Sequence, residues 1–318
     1  MRRCILVLLA MLLPAIFGRA QAGSVAITVD DLPVYGSAWT LAEGKARTGA
    51  LLAAFARHHW HVTGFVNEKQ LEGTDHAGRV AVLERWLAAG HDLGNHTYSH
   101  PSLNTVGAQA FIADIARGST ETERLLAARG QTERWFRYPF LETGTTLSDR
   151  TAVAAWLEAH GLRVAPVTME NADWQFATAY DAALARGDIA HAAAIRRAYA
   201  DYTALVIHWY RTAGRALLGR EPSFVLLIHA SQLNADTLDA LAATLRREHL
   251  HVVSLDQAMG DPAYRIADRY VGPNGIEWLE RWSQTLHRSL PFDTLPPVPN
   301  WIVKEDAAFE PQPPSQPQ

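Results

Sequence analysis

Cysteine is all but missing from this 318-residue chain: it has one, Cys4. That residue lies in an N-terminal stretch that reads as an export signal. Arg2 and Arg3 precede an apolar run at 4–17, and Ala20-Gln21-Ala22 offers the small residues of a cleavage site. Removal of residues 1–22 leaves 296 residues and no cysteine, which excludes a disulfide framework, a thiolate nucleophile and a sulfur metal ligand. Positive charge is also scarce. The net charge is −4, and loss of Arg2, Arg3 and Arg19, with no acidic residue before Ala22, takes it to −7. No nucleic-acid partner is expected, and a neutral or weakly charged substrate suits the balance better. The apolar run at 4–17 falls short of the roughly 20 residues that cross a bilayer. The expectation is therefore a periplasmic or secreted protein with no stable membrane anchor after signal cleavage.

No internal sequence repeat is visible. What is present is an ordinary globular composition, 48% hydrophobic and 19% charged, which suits one large α/β domain as well as two small ones. The order of patterns is more decisive. Residues 25–29 (Val-Ala-Ile-Thr-Val) form a nearly continuous apolar, β-rich run, as in strands buried on both faces. Helix is predicted at 41–56, strand at 61–66, helix at 79–88, strand at 91–93, helix at 108–128 and strand at 135–138. The alternation continues with helix at 149–160, strands at 162–167 and 224–228, helix at 236–248 and strand at 251–254. Strand, helix, strand implies parallel pairing. The predicted fold class is α/β, a distorted (β/α) barrel of 7–8 parallel strands with a helical insertion and a C-terminal extension.

The expected boundaries are a signal peptide at 1–22 and a catalytic domain at 23–260 with a helical insertion at 176–221. A C-terminal helical extension with a proline-rich tail follows at 261–318. The insertion, with Ala193, Ile195, Tyr199, Leu205, Ile207 and Trp209 as its apolar residues, reads as amphipathic helix on the outside of the barrel, with a lid over the cleft as the lesser reading. Trp278 and Trp282, at helical spacing, read as a packing stripe rather than a sugar platform, and the last ten residues as a segment without packed structure.

Five short polar segments fall at the C-terminal ends of the predicted strands, where barrel loops converge on one point. They are Asp30-Asp31, His96 to His100, Arg137 to Phe140, Asp173-Trp174 and Leu227-Ile228-His229. His96 and His100 are one helical turn apart, so both imidazoles can face one side. In a chain with 14 histidines such a pair is more often a surface or core feature, but Asp31 supplies the carboxylate of a two-histidine, one-carboxylate metal site. Zn2+ is the expected ion, with another divalent first-row metal as the alternative. Adjacent side chains on an extended strand point oppositely, which would let Asp31 hold the metal while Asp30 faces the substrate as general base. Without the histidines, an aspartate turn cap would explain the pair as well.

Arg137 can hold Asp30 ionised, the Phe140 amide can meet a developing oxyanion, and a protonated His229 can act as general acid with Asp173 orienting it. The plainer readings are a surface salt bridge for Arg137 and a backbone-bonded core histidine for His229. Trp174 would wall the pocket.

The five ordered segments resemble the signature of the polysaccharide deacetylase family, the carbohydrate esterases with a NodB homology domain (carbohydrate esterase family 4), over roughly residues 25–254. The resemblance implies a distorted barrel and metal-dependent removal of acetyl groups from sugars. It implies Asp30 as base, Asp31, His96 and His100 as metal ligands, and Arg137 as support of the base. It further implies Phe140 at the oxyanion, His229 as acid with Asp173 as partner, and Trp174 and Leu227 lining the substrate pocket. The third segment departs from the usual Pro-Tyr, reading Pro139-Phe140, and Glu170-Asn171 stands where the fourth often has an earlier aspartate. The expected activity is N-deacetylation of an acetylated polysaccharide or oligosaccharide, such as a peptidoglycan, chitin-like or poly-N-acetylglucosamine chain. The alternatives are an O-acetyl esterase or small cyclic amide hydrolase on the same scaffold, and a non-catalytic glycan-binding protein.

Overall fold

The apolar run after Gly23 becomes the central strand of a seven-stranded parallel sheet. The computed structural model describes residues 23–36 and 39–309; the signal expected at 1–22 and the end of the tail at 310–318 lie outside the described residues. In chain order, β1 (Gly23–Leu32), α1 (Leu41–His58), β2 (Thr63–Val66), α2 (His76–Ala88) and β3 (Asp92–Asn95) come first. Next are α3 (Leu103–Arg117), α4 (Thr120–Ala127), β4 (Trp135–Phe136), α5 (Leu147–Ala159) and β5 (Arg163–Val164). Then come α6 (Asp173–Ala185), α7 (Ile189–Leu218), β6 (Phe224–His229), α8 (Gln232–Arg247) and β7 (Leu250–Val253). The chain continues through α9 (Leu255–Ala258), α10 (Trp278–Leu286) and α11 (Asn300–Phe309).

The sheet runs β5-β4-β3-β2-β1-β6, with β7 also paired to β1. One edge of β1 carries β6 from Val25–Phe224 to Asp30–His229. The other edge is shared, β7 taking Gly23 to Ala26 and β2 taking Thr28 to Leu32. Both faces of β1 are covered as well, since Val25, Ile27 and Val29 on one face are buried together with Ala26 and Thr28 on the other. Beyond β5 the chain turns back onto β6. A parallel bridge joins Met169 to Leu226, the Thr168 and Met169 amides donate to the Val225 carbonyl at 3.0 Å, and Leu227 donates to Met169 at 3.1 Å. The sheet is thus a curled, incomplete barrel, the distorted (β/α) barrel read from the alternation of patterns.

Two predicted elements come out differently. The helix expected across 108–128 is two helices broken at Gly118-Ser119. The cause is a foreign cap: the Glu68 carboxylate accepts from the Glu121 and Thr122 amides at 3.1 and 2.7 Å, satisfying first-turn donors of α4 and starting a new helix there. The strand expected at 162–167 is only two residues of β5 followed by the Met169 bridge, because the chain leaves β4 to reach β6. The stretch 176–221 holds most of α6 and the 30-residue α7. Ile195, Tyr199, Ile207 and Trp209 are buried as the periodicity suggests, but Leu205 faces solvent. Trp278 and Trp282 are core residues.

The α3–α4 junction touches the site. A Cβ on Gly118 would lie 2.5 Å from the Thr97 carbonyl carbon and 2.6 Å from the Tyr98 amide nitrogen, backbone that has no room to give. Gly118→Ala is expected to lower unfolding stability by roughly 1–3 kcal/mol, the usual cost of overpacking, measured by urea titration; a variant as stable as the parent would show that the 97–98 turn is free to move.

Candidate active site

Strand register delivers the polar residues to one rim. Asp30 pairs with His229 across β1 and β6, Val66 with Asn95 across β2 and β3, and Asn95 with Phe136 across β3 and β4. The residues just past these positions, His96 and Arg137, therefore emerge beside Asp30 and Asp31. A cleft of about 460 Å³ opens there, lined among others by Asp30, Asp31, His96, His100, Asp173 and His229.

The histidine pair does not meet as one helical turn. Residues 96–102 are loop, with Thr97 at φ 65° and His100 at φ 57°. Side chains fix it: the Thr97 amide donates to Asn95 Oδ1 (2.7 Å), the Ser99 amide to Asp114 Oδ1 (2.8 Å), and the His100 amide to Thr97 Oγ1 (3.0 Å). The imidazole centroids end 4.8 Å apart. Nor is Asp31 extended. Its φ of 62° turns its carboxylate into the same cleft as Asp30 instead of to the opposite face, and Asp31 Oδ1 sits 3.6 Å from Nε2 of both His96 and His100.

These three donors lie within 4.8 Å of one another and fit a divalent first-row cation. His96 Nδ1 is 2.8 Å from the Arg137 carbonyl oxygen, which fixes a proton on Nδ1 and leaves the Nε2 lone pair for a ligand. Burial, with His100 adding to it, pushes the His96 pKa down to about 3, so the ring is neutral as a ligand must be. Burial works against charge on Asp31, but His100 and His96 hold its pKa below the ordinary carboxylate value.

Asp30 differs. Burial raises its pKa to about 6 against the pull of Arg137 and His229, near the operating range of a general base. Arg137 is fully buried rather than a surface ion-pair partner, yet it does not hydrogen-bond Asp30 directly. Its Nη1 stands 3.8 Å from Asp30 Oδ2 while Nη2 donates to Thr28 Oγ1 at 2.8 Å. Its influence on Asp30 is thus charge at a short distance. Asp30 Oδ1 has no hydrogen-bond partner among the described residues.

On the other flank, His229 Nδ1 meets Asp173 Oδ1 at 2.8 Å, and its amide donates to Asp173 Oδ2 at 2.7 Å. Burial opposes protonation of His229, but the Asp173 carboxylate overrides it and raises the pKa to about 9. Asn234 Nδ2 also donates to Asp173 Oδ2 (2.5 Å), and Asn234 Oδ1 accepts from the Tyr199 hydroxyl (2.7 Å). Phe140 lies beside His100, ring centroids 4.5 Å apart, largely exposed and at φ 56°. Trp174 and Leu227 line the cleft. All ten residues singled out in the sequence border it or support it.

Sequence reasoning missed others. Tyr35 lies 4.9 Å, centroid to centroid, from the His229 ring, and nothing in the spacing marks it. Asn234 carried a faint signal, the fourth residue of a Ser-x-x-Asn start to α8, where Ser231 Oγ accepts from its amide. Glu170 lines the cleft, and burial followed by the Glu277 carboxylate lifts its pKa far above the carboxylate range.

A curled parallel sheet with an Asp-His-His cluster, a buried carboxylate and a carboxylate-held imidazole at one rim defines a barrel protein with a candidate hydrolytic centre. Residues 18–164 match the family model described as polysaccharide deacetylase. The match contains Asp30, Asp31, His96, His100, Arg137 and Phe140 and ends before Asp173. A chitin deacetylase of Colletotrichum lindemuthianum is 29% identical over 121 residues, 38% of this chain and 43% of that protein. An uncharacterised 30.6 kDa protein of Geobacillus stearothermophilus is 26% identical over 212 residues, 66% of this chain and 64% of its own length. The chain thus spans less than two thirds of both curated relatives. The solved structure of the chitin deacetylase from Colletotrichum lindemuthianum shares the fold, with a TM-score of 0.52 at 21% identity over 76% of this chain and 89% of that one.

The His229–Asp173 pair sets a sign that can be tested. A histidine whose folded pKa is raised stabilises the fold fully below its ordinary 6.5, and that contribution is lost as pH rises through about 9. In an NMR titration His229 is expected to titrate near 9, and in Asp173→Asn to fall by a pH unit or more. An unmoved titration would remove Asp173 as the cause.

Proposed function

We propose that this protein is a metal-dependent deacetylase that hydrolyses N-acetyl groups of a cell-envelope or extracellular glycan, of the peptidoglycan, chitin-like or poly-N-acetylglucosamine kind. The observation that carries the reading is the convergence in one cleft of three metal-type donors with a carboxylate on one flank and a carboxylate-held imidazole on the other. The family match and the likeness to a chitin deacetylase support the acetyl-glycan class. The charged, apolar and small-residue pattern of residues 1–22 supports action outside the cytoplasm.

In this reading Asp31, His96 and His100 hold a divalent ion, Zn2+ by donor type. When bound, that ion supplies Lewis acidity to the acetyl carbonyl and to the attacking water. Asp30, ionised above about pH 6, takes a proton from the water as it adds to the amide carbon. Its neighbour Arg137 keeps the carboxylate from being neutralised outright by burial. The Phe140 amide donates to the oxygen that becomes negative. His229, protonated through Asp173, gives its proton to the departing nitrogen as the carbon–nitrogen bond breaks, leaving acetate and a free amine. Leu227 and Trp174 enclose the acetyl methyl.

The test is acetate release from N-acetylated chito-oligosaccharides, with acetylated xylan and hydantoin-like amides as the competing substrates. Asp30→Asn is expected to lower kcat by about 10²–10⁴, the share of a positioned base, with Zn2+ binding retained. His100→Ala is expected to lose Zn2+ in calorimetry, and chelation followed by Zn2+ addition to abolish and restore turnover of the parent. Full activity in Asp30→Asn, or turnover indifferent to chelation, would refute the mechanism. Hydrolysis of the cyclic amides alone would refute the substrate class.

A further inference from the structure

We propose that Arg281, on α10 outside the matched family region, is a positioning residue that holds the turn at 139–143 in the geometry required by the Phe140 amide; this rests on the deacetylase reading above. The turn needs holding. Phe140 and Leu141 are consecutive non-glycine residues at φ 56° and 55°, a conformation that L side chains avoid and that persists only where the surroundings impose it.

Arg281 is where those surroundings converge. It is 0% exposed, and its fork is spent on this one region. Nη2 donates to the Leu141 carbonyl at 2.6 Å, Nη1 to Thr143 Oγ1 at 2.8 Å and to Asp268 Oδ2 at 3.0 Å, and Nε to the Ile276 carbonyl at 2.9 Å. The guanidinium carbon lies 4.1 Å from the Trp278 ring centroid and 5.1 Å from that of Tyr270. A planar fork with fixed donor directions specifies the position of a carbonyl, which a lysine ammonium does not.

The same segment presses on the turn from a second direction. A Cβ on Gly275 would lie 1.7 Å from the Phe140 carbonyl oxygen and 2.8 Å from its carbonyl carbon, so the strand of chain before α10 lies flat against the peptide that follows Phe140. Gly275 also lines the cleft. The Gly272 amide donates to Gly144 (3.3 Å), Asn104 Nδ2 to Pro273 (2.9 Å) and the Trp278 amide to Val167 (2.7 Å), anchoring the segment on the barrel rim. Residues 268–281 therefore complete a site whose other parts lie before residue 235. A displaced amide lowers stabilisation of charge that develops in the transition state while leaving ground-state binding and the metal donors in place.

The experiment compares the parent with Arg281→Lys and Gly275→Ala on an N-acetylated chito-oligosaccharide at 15 °C, with Zn2+ affinity and thermal midpoint measured for each. Arg281→Lys is expected to lose about 10- to 100-fold in kcat, part of the 10²–10³ that removal of an oxyanion donor costs. KM and Zn2+ affinity should stay within about twofold, the pattern of an interaction made only in the transition state. Gly275→Ala, which leaves the guanidinium intact, should show the same split and decides the matter if Arg281→Lys does not fold. A lowered thermal midpoint with kcat unchanged in the folded variants would make the segment a structural brace only and overturn the proposal. An equal fall in kcat and Zn2+ affinity would also overturn it, since the turn would then serve the metal donors. A parent without deacetylase activity would overturn the functional reading and this inference with it, whereas an active parent with unimpaired variants overturns this inference alone.

Discussion

Two ionisable carboxylates side by side at the end of the central strand, Asp30 buried and Asp31 partly buried, are the constraint around which the rest is arranged. Asp30 leaves water because β1 is covered on both faces and both edges, and Asp31, beside it, keeps only a small exposure in the cleft. Like charges in so poorly solvating a place require compensation, and the fold brings it from four directions: His96 and His100 after β3, Arg137 after β4 and His229 from β6. The compensation is unequal, and the inequality divides the roles. Asp31 has two imidazoles at 3.6 Å and is held ionised. Asp30 has only a guanidinium nitrogen at 3.8 Å and an imidazole at 3.9 Å, and burial prevails. One carboxylate suits a cation and the other a proton.

Much of this arrangement was legible because strands buried on both faces write themselves as continuous apolar runs. The position of Asp30-Asp31, Arg137 and His229 at strand ends followed from those runs with no knowledge of contacts. What could not be read was local backbone hand. The sequence suggests an extended Asp31 and a helical spacing for His96 and His100, whereas the structure reaches the same cluster through left-handed Asp31, Thr97 and His100. Such conformations are imposed by partners distant in sequence, Asp114 for the His96–His100 loop being an example. The break between α3 and α4 has the same origin, since its cap, Glu68, comes from elsewhere in the chain. Tyr35 and Arg281 escaped notice because neither lies in a pattern, and their importance is a matter of which remote atoms they touch.

The family match and the site do not share the same extent. The match stops at residue 164, so the donor cluster and Arg137 fall inside it while the His229–Asp173 pair falls outside. That pair is nonetheless densely bonded. Asp173 accepts from the His229 backbone and ring and from Asn234, and Asn234 is held by Tyr199 of α7. The long helix is thereby wired to the His229 flank of the cleft.

The closure of the sheet has a mechanical consequence. Between β1 and β6 six consecutive residues are in register, whereas the return from β5 to β6 is held by the bridge at Met169 and the three backbone hydrogen bonds around it. Local opening costs least where backbone bonds are fewest, so the sheet resists opening beneath Asp30 more than along the return at 165–169, while Asp173 stays tied to His229 by its own bonds. Opening along that return would leave Asp30, Asp31 and His229 together, since all three sit on the paired strands β1 and β6.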